Sequence, residues 1–237
     1  MGFLNNTSTG RIAHTLRVAA HLLSYPDDTL RQHLPELRDA LHAENALSPS
    51  RLGELDTLIE SLARSDALDC EAAYVELFDR GRRTSLHLFE HVHGDSRDRG
   101  PAMIDLAQTY EKGGLYLAEG EMPDYLPVVL EFASTQPTRE AAGFLGEIAH
   151  LINAIFNALE KRETRYASVM GALLDLAGES ARPVQLPDEA SIDEAWEEPA
   201  AFDGCHSSGQ ERPGEAKPVH IVRRPAGSDP QRSGASA

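Results

Sequence analysis

Apolar residues recur at three- and four-residue spacing along most of the chain as far as residue 178, the period of helices with one buried face. Ile12, Leu16, Ala19 and Leu23 form a first stripe, ended by Tyr25-Pro26 because the residue before a proline avoids helical geometry. Leu30, Leu34, Leu37 and Leu41 form a second. A third, Leu52, Leu55, Ile59 and Leu62, follows Ser48-Pro49, a capping hydroxyl ahead of a residue whose missing N–H is not needed there. Tyr74, Leu77 and Phe78 predict a shorter helix stopping at Gly81. Leu86, Phe89 and Val92 predict another, stopping at Gly94. Met103, Leu106 or Ala107, and Tyr110 define a helix weakened at Gly113-Gly114, and Pro123-Asp124 opens one carrying Leu126, Val129 or Leu130, and Phe132 or Ala133. Beyond Gln136-Pro137 runs the longest stripe, from Phe144 and Leu145 through Ile148, Leu151, Ile152, Ile155 and Phe156 to Leu159. Val169, Leu173 and Leu176 make the last. No alternating β-branched run is long enough for a strand. The pattern predicts an all-α fold, a single helical-bundle domain of roughly nine helices over residues 1–180.

Past Gly178 the pattern ends. Residues 186–200 hold six acids and no base, which marks 181–200 as an acidic extension with a lone aromatic, Trp196. Residues 201–237 contain five Gly, four Pro and five Ser, too little apolar surface to offset ordering entropy, so a disordered C-terminal tail is expected.

Charge narrows the function classes. The chain has 22 Lys and Arg against 38 Asp and Glu, a net charge of −16, with −17 on the first 200 residues and +1 on the rest. Such a chain is poorly suited to nucleic acid or to anionic lipid and well suited to basic partners. Cys70 and Cys205 stand far apart, which fits neither a zinc knuckle nor a disulfide framework and suits a reducing cytoplasm. Met1 to Gly10 does not read as a signal peptide, and no run approaches about 18 apolar residues, so direct membrane insertion is not expected.

Two segments invite a metal. His87-Leu88-Phe89-Glu90-His91 has the His-x-x-Glu-His spacing that, on a helix, puts two imidazoles on one face beside a carboxylate base, as in a zinc hydrolase. It lacks a marked third ligand, and a polar helix face is the plainer reading. Glu147-Ile148-Ala149-His150 has the Glu-x-x-His spacing of a di-iron bundle, yet His150 sits beside an apolar stripe where packing or exposure explains it. Without a G-x-S-x-G elbow or a phosphate loop, nothing in the sequence builds an enzyme.

The remaining block is residues 74–132. Its first half crowds Arg82, Arg83, Glu90, His91, His93, Asp95, Arg97, Asp98 and Arg99 into eighteen residues. That fits either an ion-paired helix end or a charged rim around a peptide groove. Here the residues resemble a known family. Leu88-Phe89-Glu90-His91-Val92-His93-Gly94 followed by Asp95-Ser96-Arg97-Asp98-Arg99-Gly100 is similar to the signature of NarJ-type nitrate reductase assembly chaperones, within the TorD/DmsD group of redox-enzyme maturation proteins. Leu23-Ser24-Tyr25-Pro26, Tyr74-Val75-Glu76-Leu77-Phe78, Pro123-Asp124-Tyr125-Leu126-Pro127 with Glu131-Phe132, and Asp193-Glu194-Ala195-Trp196-Glu197-Glu198-Pro199 match it in order. Met122 and Tyr125 stand where relatives outside the nitrate reductase branch usually carry Glu and His. His87 is not part of the signature.

The resemblance implies a cytoplasmic, all-helical, system-specific chaperone that is not an enzyme and binds no obligatory cofactor itself. It would bind the N-terminal region of the apo catalytic subunit of respiratory nitrate reductase while the molybdenum cofactor is inserted, and then leave. Cofactor-delivery proteins are further candidate partners, and a chaperone for another molybdoenzyme is the nearest alternative. The expected client-peptide residues are Phe89, Glu90, His91, His93, Asp95, Arg97, Arg99, Asp124, Tyr125 and Glu131, with 88–99 and 121–132 flanking a groove. Histidine titrates near neutrality, so His91 and His93 are expected to make that binding pH-sensitive.

Overall fold

Nine α-helices and one π-helical turn succeed one another between residues 11 and 184, the part of the chain that the computed structural model describes, Asp95 excepted. They are α1 (Ala13–Leu22), α2 (Asp28–Glu44), α3 (Pro49–Arg64), α4 (Ala67–Tyr74), which continues as the π-turn Val75–Asp79, α5 (Leu88–Val92), α6 (Arg99–Lys112), α7 (Leu126–Thr135), α8 (Thr138–Lys161) and α9 (Ala167–Ala177). Among the described residues there is no strand, only an isolated bridge, so the all-α expectation holds. All the helices fall in the first of two units into which the chain divides, Met1–Pro187. The second unit, Asp188–Ala237, lies outside the described residues, and with it Trp196, nearly all of the acidic extension and the whole expected tail.

Local chemistry sets the helix ends. Asp27 accepts from Leu30 N at 2.7 Å to cap α2, Ser48 from Arg51 N at 3.2 Å to cap α3, and Asp66 from Leu68 N at 2.9 Å to cap α4. Asn45 and Gly178 close α2 and α9 in the left-handed conformation that those residue types reach cheaply. α1 has no cap of its own. Its free N–H groups on His14 and Thr15 donate instead to the Glu44 carboxylate, at 3.1 and 2.6 Å, and the Thr15 hydroxyl adds a third bond at 2.7 Å. A carboxylate from the end of α2 thus neutralises the positive end of α1. Arg31 does the converse for α3, donating to the carbonyls of Leu62 and Ser65, both at 2.8 Å.

The core is the expected stripes turned inward. α8 packs along α9, α1 lies between α7 and α2, and α3 bridges α2 and α9. Leu16, Leu34, Leu126, Leu130, Leu145, Ile152 and Ile155 are fully buried, each adding about 1.5–3 kcal/mol of apolar transfer. α8 is long and apolar enough to cross a membrane, with mean hydropathy 1.3 over its best window. Here it buries Leu145, Leu151, Ile152, Ile155 and Leu159 in the bundle, as a core helix does.

α6 departs from expectation. Of Met103, Leu106, Ala107 and Tyr110 only Tyr110 is buried, and Ile104 is 59% exposed. α6 rests on a small separate cluster of Tyr110, Val128 and Phe132 with Leu106, Leu115 and Leu117 at its edge. The Tyr110 and Phe132 ring centroids are 4.7 Å apart. The glycine pair ends the helix for two reasons. Gly113 lies against the Phe132 ring, where a Cβ would approach to 2.5 Å, and Gly114 takes φ +85.

Candidate functional site at the Asp124 bridge

Two segments 38 residues apart meet as a short antiparallel bridge, His87 against Tyr125. Leu88 N donates to Asp124 O at 3.0 Å and Leu126 N to Leu86 O at 2.8 Å. These N–H groups open α5 and α7, so each segment satisfies the other's helix start. This corrects two boundaries. The helix expected from Leu86 begins at Leu88, and the helix expected from Pro123-Asp124 begins at Leu126, because the bridge holds the preceding residues extended.

The Asp124 carboxylate is fully buried at this crossing. Oδ2 accepts from Phe89 N at 3.2 Å, serving α5 as its N-cap from across the fold, where the residue at that position, His87, offers no capping bond. Oδ1 lies 3.4 Å from His87 Nδ1. Oδ2 is also 3.7 Å from the Arg99 guanidinium, which is itself 3.7 Å from Glu90. The hydrogen bond to Asp124 raises the His87 pKa above its ordinary value, with partial burial opposing. His87 also stacks at 5.2 Å on the Tyr125 ring. The Tyr125 hydroxyl meets that of Tyr74 at 3.0 Å, and Tyr74 donates to the Leu23 carbonyl at 2.8 Å. Burial pushes the Tyr74 and Tyr125 pKa values up, keeping both neutral.

Two clefts adjoin this link. The first, about 420 Å³, is lined by Asp79, Arg82, Arg83, Glu90, His91 and Arg99, with Gly81, Ser85 and Gly94 supplying backbone and small groups. The second, about 450 Å³, is lined by Ser24, His87, Met122, Tyr125, Val128 and Glu131, together with Gly120, Glu121 and Pro127. Met122 is 41% exposed there and Glu121 and Glu131 are exposed, giving an apolar floor between two carboxylates.

The sequence-expected residues divide between these places. Glu90, His91 and Arg99 line the first cleft, Tyr125 and Glu131 the second, and Asp124 is buried between its partners from both. Phe89 is half-buried and meets the His93 ring edge-on at 5.5 Å. Arg97 is exposed and lines neither cleft, and Asp95 lies outside the described residues. Sequence reasoning passed over His87 as a site residue because it weighed that side chain only as a metal ligand. It also left Arg82, Arg83 and Met122 out of the site.

The His-x-x-Glu-His segment does not present two imidazoles on one helical face. His87 is extended at φ −85, ψ 102 and turned to Asp124, while His91 Nε2 faces the Ser85 carbonyl at 2.9 Å. Glu90-x-x-His93 repeats the spacing of Glu147-x-x-His150, but α5 is a five-residue helix and His150 is exposed, its Nδ1 3.1 Å from the Glu147 carbonyl. Among the described residues no group of three or more His, Cys, Asp or Glu is placed to hold a metal ion.

The chain is similar to several known proteins. The chain is 42% identical over 193 residues to the Escherichia coli K12 protein named nitrate reductase molybdenum cofactor assembly chaperone NarJ, covering 77% of this chain and 82% of that one. It is 38% identical over 188 residues to a second protein of that strain, "Probable nitrate reductase molybdenum cofactor assembly chaperone NarW", covering 79% and 78%. In fold it matches the crystal structure of a candidate redox enzyme maturation protein from Archaeoglobus fulgidus, with a TM-score of 0.51 at 21% identity over 75% of this chain and all of that one. The family profile described as nitrate reductase delta subunit matches residues 24–170, which hold the Asp124 bridge and both clefts, and the chain belongs to that family.

Proposed function

We propose that the protein is a cytoplasmic, system-specific assembly chaperone for respiratory nitrate reductase. It binds the N-terminal region of the apo catalytic subunit, keeps that subunit receptive while the molybdenum cofactor is inserted, and departs without catalysing a reaction. The relatives' names support the system served. The second cleft carries the binding mode. Met122, Tyr125, Pro127 and Val128 offer apolar surface, and Glu121 and Glu131 stand beside it. That chemistry suits an amphipathic helix with a basic flank. The acidic body would speed its encounter, and apolar burial would supply most of the affinity.

The role is tested in cells lacking the chain. The catalytic subunit should accumulate with little molybdenum and little nitrate-reducing activity, and both should return when the chain is restored. The purified active enzyme should not contain it. Normal molybdenum loading without the chain would sink the proposal. Loss of a sulfoxide or N-oxide reductase instead would reassign the client.

A further inference from the structure

The second cleft alone is too small for a helical partner. One turn of helix with its side chains fills about 400–600 Å³, from a pitch of about 5.4 Å and a diameter of about 10–12 Å, and the cleft holds about 450 Å³. Helices shorter than about 12–15 residues are marginal in water, so about two or three turns of such a partner need surface outside it. Ser24 lines the cleft, and Tyr25, the next residue, is 45% exposed. The Tyr25 ring meets that of buried Tyr74 edge-on at 5.6 Å, and the Tyr74 hydroxyl is 3.0 Å from that of Tyr125 in the cleft lining. One buried side chain therefore supports the cleft and the exposed ring together. Leu68 on α4 is 74% exposed, and Glu71 stands three positions on, its neighbour on the helix surface. Partial burial, then the carboxylates of Glu71, Asp79 and Asp27, raise the Tyr25 pKa, so the phenol stays neutral in the field of three acids. Residues 25–31 and 66–80 carry seven acids against Arg31 and Arg80. Arg31 is engaged by the carbonyls of Leu62 and Ser65, and Arg80 by Glu76. An exposed aromatic ring in a negative field attracts a guanidinium or ammonium group. Apolar surface beside carboxylates is also what Met122 offers with Glu121 and Glu131 in the cleft, so one basic amphipathic helix suits both places. We propose, resting on the peptide reading of the second cleft, that the bound helix continues out of that cleft across Tyr25 and the outer side of α4, where the tyrosine ring takes one of its basic side chains.

The test is calorimetric titration of the full chain with a synthetic peptide of about 16 residues from the N-terminus of the partner nitrate reductase catalytic subunit, and with each half of it. The whole peptide is expected to bind at least tenfold more tightly than either half. Tyr25→Ala should weaken the whole peptide about fivefold, as loss of one cation–π contact does, and leave the half that fills the cleft unchanged. Tyr25→Phe keeps the ring and should bind as the parent does. Replacing the Lys and Arg residues of the peptide with Gln one at a time should reveal one whose loss makes Tyr25→Ala silent, the signature of a direct pair. Whole-peptide binding that Tyr25→Ala leaves unchanged overturns the proposal while the reading of the cleft stands. An effect of Tyr116→Ala instead, at the 77% exposed ring on the segment leading to Gly120-Glu121-Met122, sends the helix the other way and also overturns it. Absence of binding by any of the peptides removes the cleft reading and this extension together.

Discussion

Replacing Asp124 probes the joint on which both clefts depend. Asp124→Ala removes a buried carboxylate and leaves Phe89 N–H without its acceptor at the start of α5. A hydrogen bond to a charged group contributes about 1.5–3 kcal/mol. The His87 and Arg99 contacts are longer, with partner side chains 35% and 27% exposed, so solvent screening limits each to about 0–1 kcal/mol. The total expected loss is about 2–4 kcal/mol for Ala and about half that for Asn, which keeps an acceptor for Phe89 N–H. Urea denaturation reads this as a lowered midpoint with unchanged slope. The pH dependence isolates the His87 contact. His87 has its folded pKa raised, so its contribution is complete below the unfolded value of about 6.5 and fades as pH rises through the folded value. The gap between parent and Asp124→Asn should therefore be wider at about pH 5.5 than at about pH 8.5. The His87 imidazole should titrate lower in the variant by NMR. A parent-like midpoint for Asp124→Ala would refute the capping argument. An equal gap at both pH values, with unchanged titration of His87, would refute the ion pair.

Four further substitutions test the scaffold. Glu44→Ala strips α1 of its borrowed cap and should lower stability by about 1–2 kcal/mol, read from thermal or urea unfolding. The Tyr166 hydroxyl is buried with no hydrogen-bond partner among the described residues, while its ring packs on Phe78 at 5.0 Å. Tyr166→Phe should accordingly be neutral or raise stability by about 1 kcal/mol, and a clear loss would show that the hydroxyl is satisfied in solution. Gly113→Ala drives a Cβ against Phe132 and should cost about 1–3 kcal/mol, with near-UV circular dichroism reporting the disturbed aromatic cluster. Gly143→Ala, where a Cβ meets nothing on α8, should instead add about 0.5–1 kcal/mol.

The helices were legible wherever a stripe met a strong local signal. Ser48-Pro49 marked the start of α3 and Gly178 the end of α9, and the stripe of α8 is the one buried. Of α4 and its π-turn only the end, Tyr74 to Phe78, was legible, and the start was hidden because its leading apolar residue, Leu68, is 74% exposed and only Cys70 and Tyr74 of α4 turn inward. α6 carried a stripe that the fold barely uses, since the helix covers a small outlying cluster rather than the main core. What the sequence could not reveal is pairing at a distance. Glu44 and Thr15 are 29 positions apart, and Asp124 and His87 are 37. Neither pairing leaves a periodic trace. The extended stretches at 86–87 and 124–125 are too short to read as strands, so each was absorbed into the helix beside it. The family signature did bring Asp124, Tyr125 and residues 88–99 to attention together. Their division between two clefts came only from the fold.

The peptide groove is tested most directly by calorimetric titration of the full chain with a synthetic peptide from the N-terminus of the partner nitrate reductase catalytic subunit. A scrambled peptide and a sulfoxide reductase leader serve as controls. Saturable one-to-one binding of the nitrate reductase peptide alone is expected, weakened at least tenfold by Glu131→Lys, which reverses a charge beside the apolar floor. Met122→Ala should weaken it by removing part of that floor. Absence of binding, or binding that both substitutions leave unchanged, would contradict the account.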